Sequence, residues 1–331
     1  MRAQNDTGFC PDPALPELET EIRPGYQGEP RNLEWWVQRE LKCPIPPGSL
    51  VGKFIEFRRN PGPAPTDAGE ALHRTRLEHG LKIADWSVRV LYAAQQDPRY
   101  HVKVSVDATF LTKELLGVDN PDAAYQQPNS ITTLYTAARL VAGGRLVLIR
   151  RTLRAKSAGA IEITGNGKGG YDIFYDSPMG PMTVECKQRS FEAGLRDTPP
   201  DQSRYVVHKI AEASPKLPHK KGARILVIGF QTGAAPLVLS QQQAEMYQRA
   251  VFNEFLKTND PDWPDCIIVE HADAWHPLPV RLDLKNREEF QAVRPILLAA
   301  MPAREVVMVG EFVNGRIVPR PWIFQLAGED R

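Results

Sequence analysis

From residue 67 onward the apolar positions fall into a helical rhythm. Leu77, Leu81, Ala84, Val88 and Leu91 recur at three- and four-residue spacing and draw one stripe that runs to Tyr92. Gly80 sits inside that stripe and weakens its middle. Residues 129–142 repeat the rhythm, with a polar start at Asn129-Ser130 and a stop at Gly143-Gly144. Between these helices, 101–106 alternates as a strand does, and 107–127 reads as a short helix followed by an irregular segment. Strands are expected at 145–151 and 160–164. Two more, 171–176 and 182–188, are joined by a turn built from Ser177, Pro178, Gly180 and Pro181.

Residues 203–213 read as a helix, and the continuous apolar run 224–230 as an interior strand covered on both faces. Ser240-Gln-Gln-Gln243 has the form of a capping box opening a helix through Leu256. A strand at 266–270 follows, and Asn314-Gly315 marks a hairpin between Phe312 and Ile317. Strand, helix, strand in this order argues for a crossover connection and an α/β fold.

The first 65 residues are different. Pro11, Pro13, Pro16, Pro24, Pro30, Pro44, Pro46 and Pro47 keep interrupting any regular element. Trp35-Trp36 and Phe54-Ile55-Glu56-Phe57 are the expected anchors by which this arm docks on something else, a protein partner included. Residues 60–66 carry the clearest linker signal. A chain of 331 residues exceeds one ordinary core. It divides on this reading into a Pro-rich arm (1–65), a helical region (66–127), a central core (128–275) and a C-terminal extension (276–331).

Charge and composition narrow the classes. A formal net charge of +1 gives the whole chain no nucleic-acid signature, but basic residues gather at Arg145–Lys156 and around Lys216, Lys220, Lys221 and Arg224. Both clusters flank the hairpin, where they suit a phosphate backbone as well as a solvated face. Cys10, Cys43, Cys186 and Cys266 show neither metal-ligand spacing nor a disulfide pattern, so a reducing cytoplasm is expected. No run of eighteen apolar residues suggests a membrane span, and the start lacks the apolar segment of a secretory signal. The Gly-rich segment 165–170 lacks a P-loop ending and leads into a strand, so it reads as a hairpin loop.

The hairpin carries the chemistry. Alternation places Thr183, Glu185 and Lys187 on one face and Met182, Val184 and Cys186 on the other. Charged groups on a buried-looking strand are costly unless paired or bound to a metal. If Asp172 and Glu185 meet, they form a hard oxygen site suited to Mg²⁺ or Mn²⁺, with the backbone carbonyl of Cys186 as a further ligand. Lys187 then orients or deprotonates a water, helped by a depressed pKa.

Asp172, a turn, Glu185-Cys186-Lys187, then a helix and an apolar strand: this order resembles the PD-(D/E)xK nuclease superfamily, the fold of restriction endonucleases and archaeal Holliday-junction resolvases. The resemblance covers about residues 128–235. It implies a restriction-endonuclease-like mixed sheet flanked by helices, with N- and C-terminal extensions outside it. It also implies Mg²⁺- or Mn²⁺-dependent hydrolysis of phosphodiesters in nucleic acid, DNA being favoured by analogy. Asp172 and Glu185 fall on the acidic positions and Lys187 on the lysine. Asp176, Glu162 and Gln188 are auxiliary candidates. Arg150, Arg151, Arg154, Lys168, Arg189, Lys220 and Lys221 are candidates for the nucleic-acid backbone. Two rival readings stand beside it: a catalytically inactive scaffold or DNA-binding module of the same fold, and a defence or toxin effector that needs a partner chain.

Overall fold

The structure, a computed structural model, describes residues 26, 28–41, 44–96, 102–142, 159–165, 170–177, 180–189, 196–218 and 223–230, with short segments at 246–247, 250, 264, 266–271, 274–279, 306–307, 310–313, 316–319 and 325–326. The expected strand 145–151 lies outside them, as does most of the helix expected over 240–256.

Of the expected arm, the described residues from Pro30 to Arg59 fold into helices that pack on the rest of the chain. Helix α1 (Pro30–Leu41) and helix α2 (Leu50–Arg59) lie against α3 (Ala68–Gln96). Proline is tolerated at the first position of α1, where the missing N–H has no helical partner anyway. Ser49 caps α2 by accepting the Gly52 amide at 2.9 Å. The anchors expected to reach a partner are engaged within the chain: Trp36, Phe54 and Ile55 are buried, and Trp35 packs edge-on to Tyr92 of α3. Asp85, buried on α3, ties this region down. Its carboxylate accepts from the Tyr26 hydroxyl, the Asn32 amide at 2.7 Å and the Glu29 backbone at 2.9 Å.

Helix α3 buries the stripe Leu77, Leu81, Ala84, Val88 and Leu91. Gly80 has a packing role that its helix propensity conceals. A Cβ there would sit 2.2 Å from the tip of the Phe54 ring, so the glycine lets α2 approach α3.

Strand β1 (Lys103–Val106) follows, then a single π-helical turn, Phe110–Leu115, and helix α4 (Ala123–Ala142). Helix α4 starts earlier than its polar residues suggested and carries Pro128 within it. Next come β2 (Ala160–Ile163), β3 (Ile173–Ser177), β4 (Gly180–Arg189), α5 (Pro199–Ala213), β5 (Ala223–Phe230), β6 (Cys266–His271) and β7 (Ala274–Pro279). These seven strands form one sheet in sequence order. It is mixed: β2, β3 and β4 are an antiparallel meander, β4, β5 and β6 run parallel, β1 is parallel to β2, and β7 is antiparallel to β6. The chain is therefore α/β, with helices flanking a mixed sheet. Ile225, Leu226, Val227 and Ile228 of β5 are all buried, as a strand covered on both faces requires.

One hydrophobic core runs without a break through α1–α4 and the sheet from β2 to β5. The boundaries expected near 65 and 127 thus fall inside a shared core. Towards the C-terminus, β8 (Val306–Val307) pairs with β11 (Gln325–Leu326), and β9 (Gly310–Val313) pairs with β10 (Arg316–Pro319) across the Asn314-Gly315 position. No helix among the described residues is long and apolar enough to cross a membrane.

The Gly80–Phe54 contact gives a first prediction. Alanine at 80 gains about 1 kcal/mol of helix propensity but forces the Phe54 ring aside, at about 1–3 kcal/mol. Gly80→Ala is expected to lower the urea midpoint, and Gly80→Ala with Phe54→Leu to recover part of the loss. A midpoint raised by Gly80→Ala alone would contradict the close approach.

Candidate metal centre

Strand register brings the two acids together. Ile173 lies opposite Val184, so Asp172, one residue ahead of β3, stands against Glu185. The Asp172 amide donates to the Val184 carbonyl at 2.9 Å, and the Asp172 carbonyl accepts the amides of Thr164 at 2.8 Å and Gly165 at 3.1 Å. Asp172 is thereby fixed between the end of β2 and the middle of β4. Alternation on β4 then sorts the side chains as expected. Met182, Val184 and Cys186 enter the core. Glu185, Lys187 and Arg189 face α5, where Lys187 reaches Glu212 at 3.0 Å and Arg189 lies over the Tyr205 ring.

The polar geometry is asymmetric. Asp172 Oδ2 accepts the backbone N–H of Cys186 at 2.6 Å. Glu185 Oε1 accepts from two ammonium groups, Lys187 at 2.7 Å and Lys216 at 2.8 Å. The other two oxygens, Asp172 Oδ1 and Glu185 Oε2, are buried with no hydrogen-bond partner. Orphaned buried acceptors are rare in folded proteins, and those on charged groups are the most expensive. Here two of them belong to facing carboxylates.

The titration behaviour follows from this. Burial, and then the charge of Glu185, push Asp172 up to about 8, against a smaller pull downward from the Cys186 amide. Burial alone would depress Lys187, but the carboxylates of Glu185 and Glu212 outweigh it and hold the ammonium above its ordinary value. This corrects the expected depressed lysine: Lys187 is a cation and a hydrogen-bond donor. Burial opposes ionisation of Glu212, yet hydrogen bonds from Lys209 and Lys187 push it down to about 2.

Other candidates are placed as follows. Asp176 is exposed and paired with Pro181, and Glu162 is exposed on β2 opposite Phe174, so neither joins the pair. Gln188 points to the opposite face of β4, where its Oε1 accepts from the Thr132 hydroxyl of α4 at 2.9 Å. Arg189 is not free for a phosphate: its guanidinium makes two hydrogen bonds to Asp197, at 3.0 and 2.6 Å. The Cys186 thiol lies beside Thr133 and Thr136, and burial pushes its pKa well up, which excludes a thiolate role. Arg150, Arg151, Arg154, Lys168, Lys220 and Lys221 lie outside the described residues.

Three neighbours were not anticipated as site residues. Glu212 and Lys209 sit on the stripe 205, 209, 212 of α5, a polar edge beside its buried face of Val206, Ile210 and Ala213. Lys216 was visible only as one member of a basic run. Among the described residues no group of three or more His, Cys, Asp or Glu side chains is placed to hold a metal ion. The donor set still fits Mg²⁺ or Mn²⁺, which take one or two carboxylates and complete their shell with water and phosphate oxygens.

Because the native pKa of Asp172 lies above its unfolded value, the folded state holds the extra proton between about pH 4 and pH 8. The stability that this proton confers is complete at low pH and is lost as pH rises towards 8. In chelator, wild-type protein is expected to melt progressively lower across that window relative to Asp172→Asn, which carries no charge to bury. Parallel pH profiles would contradict the shift. No family model, no curated protein and no solved structure gives a match to this chain, so its geometry must carry the functional reading.

Proposed function

We propose that this chain is a metal-dependent nuclease with a PD-(D/E)xK-like site, hydrolysing phosphodiester bonds in nucleic acid, DNA before RNA. One observation carries the reading: two buried, unpartnered carboxylate oxygens from neighbouring strands, bordered by lysines. Two facing buried carboxyl groups with orphaned oxygens are unfavourable as a structural device, whereas a divalent cation held by both residues would offset both defects. The helix α5 and parallel strand β5 that follow the Glu185-Cys186-Lys187 segment support the same reading, as does the helix α4 ahead of it.

Asp172 Oδ1 and Glu185 Oε2 would hold Mg²⁺ or Mn²⁺, with the carbonyl of Cys186 as the main-chain donor. Such an ion supplies charge neutralisation at the phosphoryl oxygens and a nucleophilic water at neutral pH. The protein's own part is positional. The Cys186 amide fixes the rotamer of Asp172, leaving Oδ1 free. Lys187, kept protonated and held between Glu185 and Glu212, donates hydrogen bonds: it orients the attacking water and stabilises charge developing on the phosphate. It does not serve as the base.

A specific observation favours the second reading, a non-catalytic module of the same fold. Lys187 and Lys216 together already neutralise Glu185, so an ion-paired carboxylate can persist there without a metal. Calorimetric titration with Mn²⁺ separates the two: no uptake supports the module.

The activity test is direct. Purified full-length protein with Mg²⁺ or Mn²⁺ is expected to nick supercoiled DNA. Lys187→Ala is expected to slow this by about 10²-fold or more, with the metal affinity largely kept. Undiminished nicking by that variant would remove the assigned role of Lys187, and nicking by Asp172→Asn at the wild-type rate would remove the site.

A further inference from the structure

Only one of the two ammonium groups on Glu185 Oε1 belongs to the Glu185-x-Lys187 spacing. The other, Lys216, arrives from the short 3-10 turn Ser214–Lys216 that ends α5. That turn is held on both sides. Arg224, buried on β5, donates to the Leu217 carbonyl at 2.8 Å and to the Ser214 carbonyl at 3.1 Å. The backbone of Gly170, at φ 81°, lies against Lys216, whose Cα is 3.6 Å from the place a Cβ would occupy. Gly170 leads into Asp172, so the turn rests on the same segment that delivers the first acid.

The two lysines differ in access. The Lys187 side chain is 11% exposed and the Lys216 side chain 30%, so Lys216 reaches Glu185 from the open side of the site. An ammonium and a divalent ion on one carboxylate repel each other at short range. The clamped backbone keeps Lys216 at the rim even when its flexible four-carbon stem swings off Glu185. A phosphate approaching from that more exposed side would meet Lys216 before Lys187.

We propose that Lys216 is a phosphate-binding residue that occupies Glu185 in place of the divalent ion and, once the ion is loaded, pairs with a phosphate oxygen of the nucleic acid. This rests on the nuclease reading above. It assigns Lys216 two successive partners of the same charge, first Glu185 and then the substrate backbone.

The test needs no turnover. Mn²⁺ affinity is measured by calorimetry, and binding of a short labelled DNA duplex by anisotropy in Ca²⁺, on full-length wild type, Lys216→Ala and Lys216→Arg. Lys216→Ala is expected to bind Mn²⁺ about three- to ten-fold more tightly, because its competitor is gone. It is expected to bind the duplex about ten-fold more weakly, with the slope of log affinity against log salt reduced by about 0.9. Lys216→Arg is expected to keep most of the duplex affinity. Wild type that takes up Mn²⁺ and duplex while Lys216→Ala matches it on the duplex would overturn this proposal and leave the nuclease reading standing. Weaker Mn²⁺ binding by Lys216→Ala would also overturn it, since Lys216 would then be organising the carboxylates rather than competing for them. Wild type that takes up no Mn²⁺ would overturn both.

Discussion

Asp172 and Glu185 are buried side by side with one oxygen of each left without a hydrogen-bond partner, and the surrounding structure is arranged to make that tolerable. Burial raises the pKa of Asp172, and the neighbouring charge of Glu185 adds to the effect. Part of the strain is relieved by protonation of Asp172, pushed up to about 8, and part by two ammonium groups on Glu185. On the proposed metal reading, such a site would give up stability without a cation and recover it on binding one, the usual relation between function and stability at buried charged centres.

The scaffold supplies rigidity where that pair needs it. The three-stranded meander fixes the register that sets Asp172 against Glu185, and a slip of one residue between β3 and β4 would put the two carboxylates on opposite faces of the sheet. Behind it, α4 buries Leu134, Tyr135 and Ala138, and α3 buries Trp86 against Tyr135, so the inner face of the sheet rests on packed helices. On the outer face, α5 brings Glu212 to Lys187, and the capping box of Thr198 and Asp201 fixes where that helix begins. Arg189, bonded to Asp197, ties the end of β4 to the segment that enters α5. It spends its donors on holding the helix in place rather than on a ligand.

Much of this was legible in the chain, for reasons that differ by element. Alternation on β4 revealed which side chains share a face, because the period of a strand is rigid. The unbroken apolar run of β5 announced a strand covered on both sides. The meeting of Asp172 with Glu185 was readable only as a condition, since register depends on the pairing that forms and Asp176 shared the same face. Prolines suggest an arm over 1–65, but among the described residues Pro30 opens α1 and Pro44, Pro46 and Pro47 lie between α1 and α2, and the buried Asp85 that ties Tyr26, Glu29 and Asn32 to α3 looks like any surface acid in sequence. Lys187 reads as depressed because burial is visible in a pattern; Glu185 shares its strand face, but its second carboxylate, Glu212, comes from α5 and no local spacing joins it to Lys187. Lys216 lies 31 residues from Glu185, and no local spacing could have joined them.

The central claim is that a divalent cation belongs between the two orphaned oxygens. A crystal of the full-length protein soaked in Mn²⁺ and measured at a wavelength where manganese scatters anomalously tests it most directly. A single strong peak about 2.1 Å from both Asp172 Oδ1 and Glu185 Oε2 is the predicted result. An anomalous map empty at that position, with Asp172 and Glu185 still facing each other, would contradict the account.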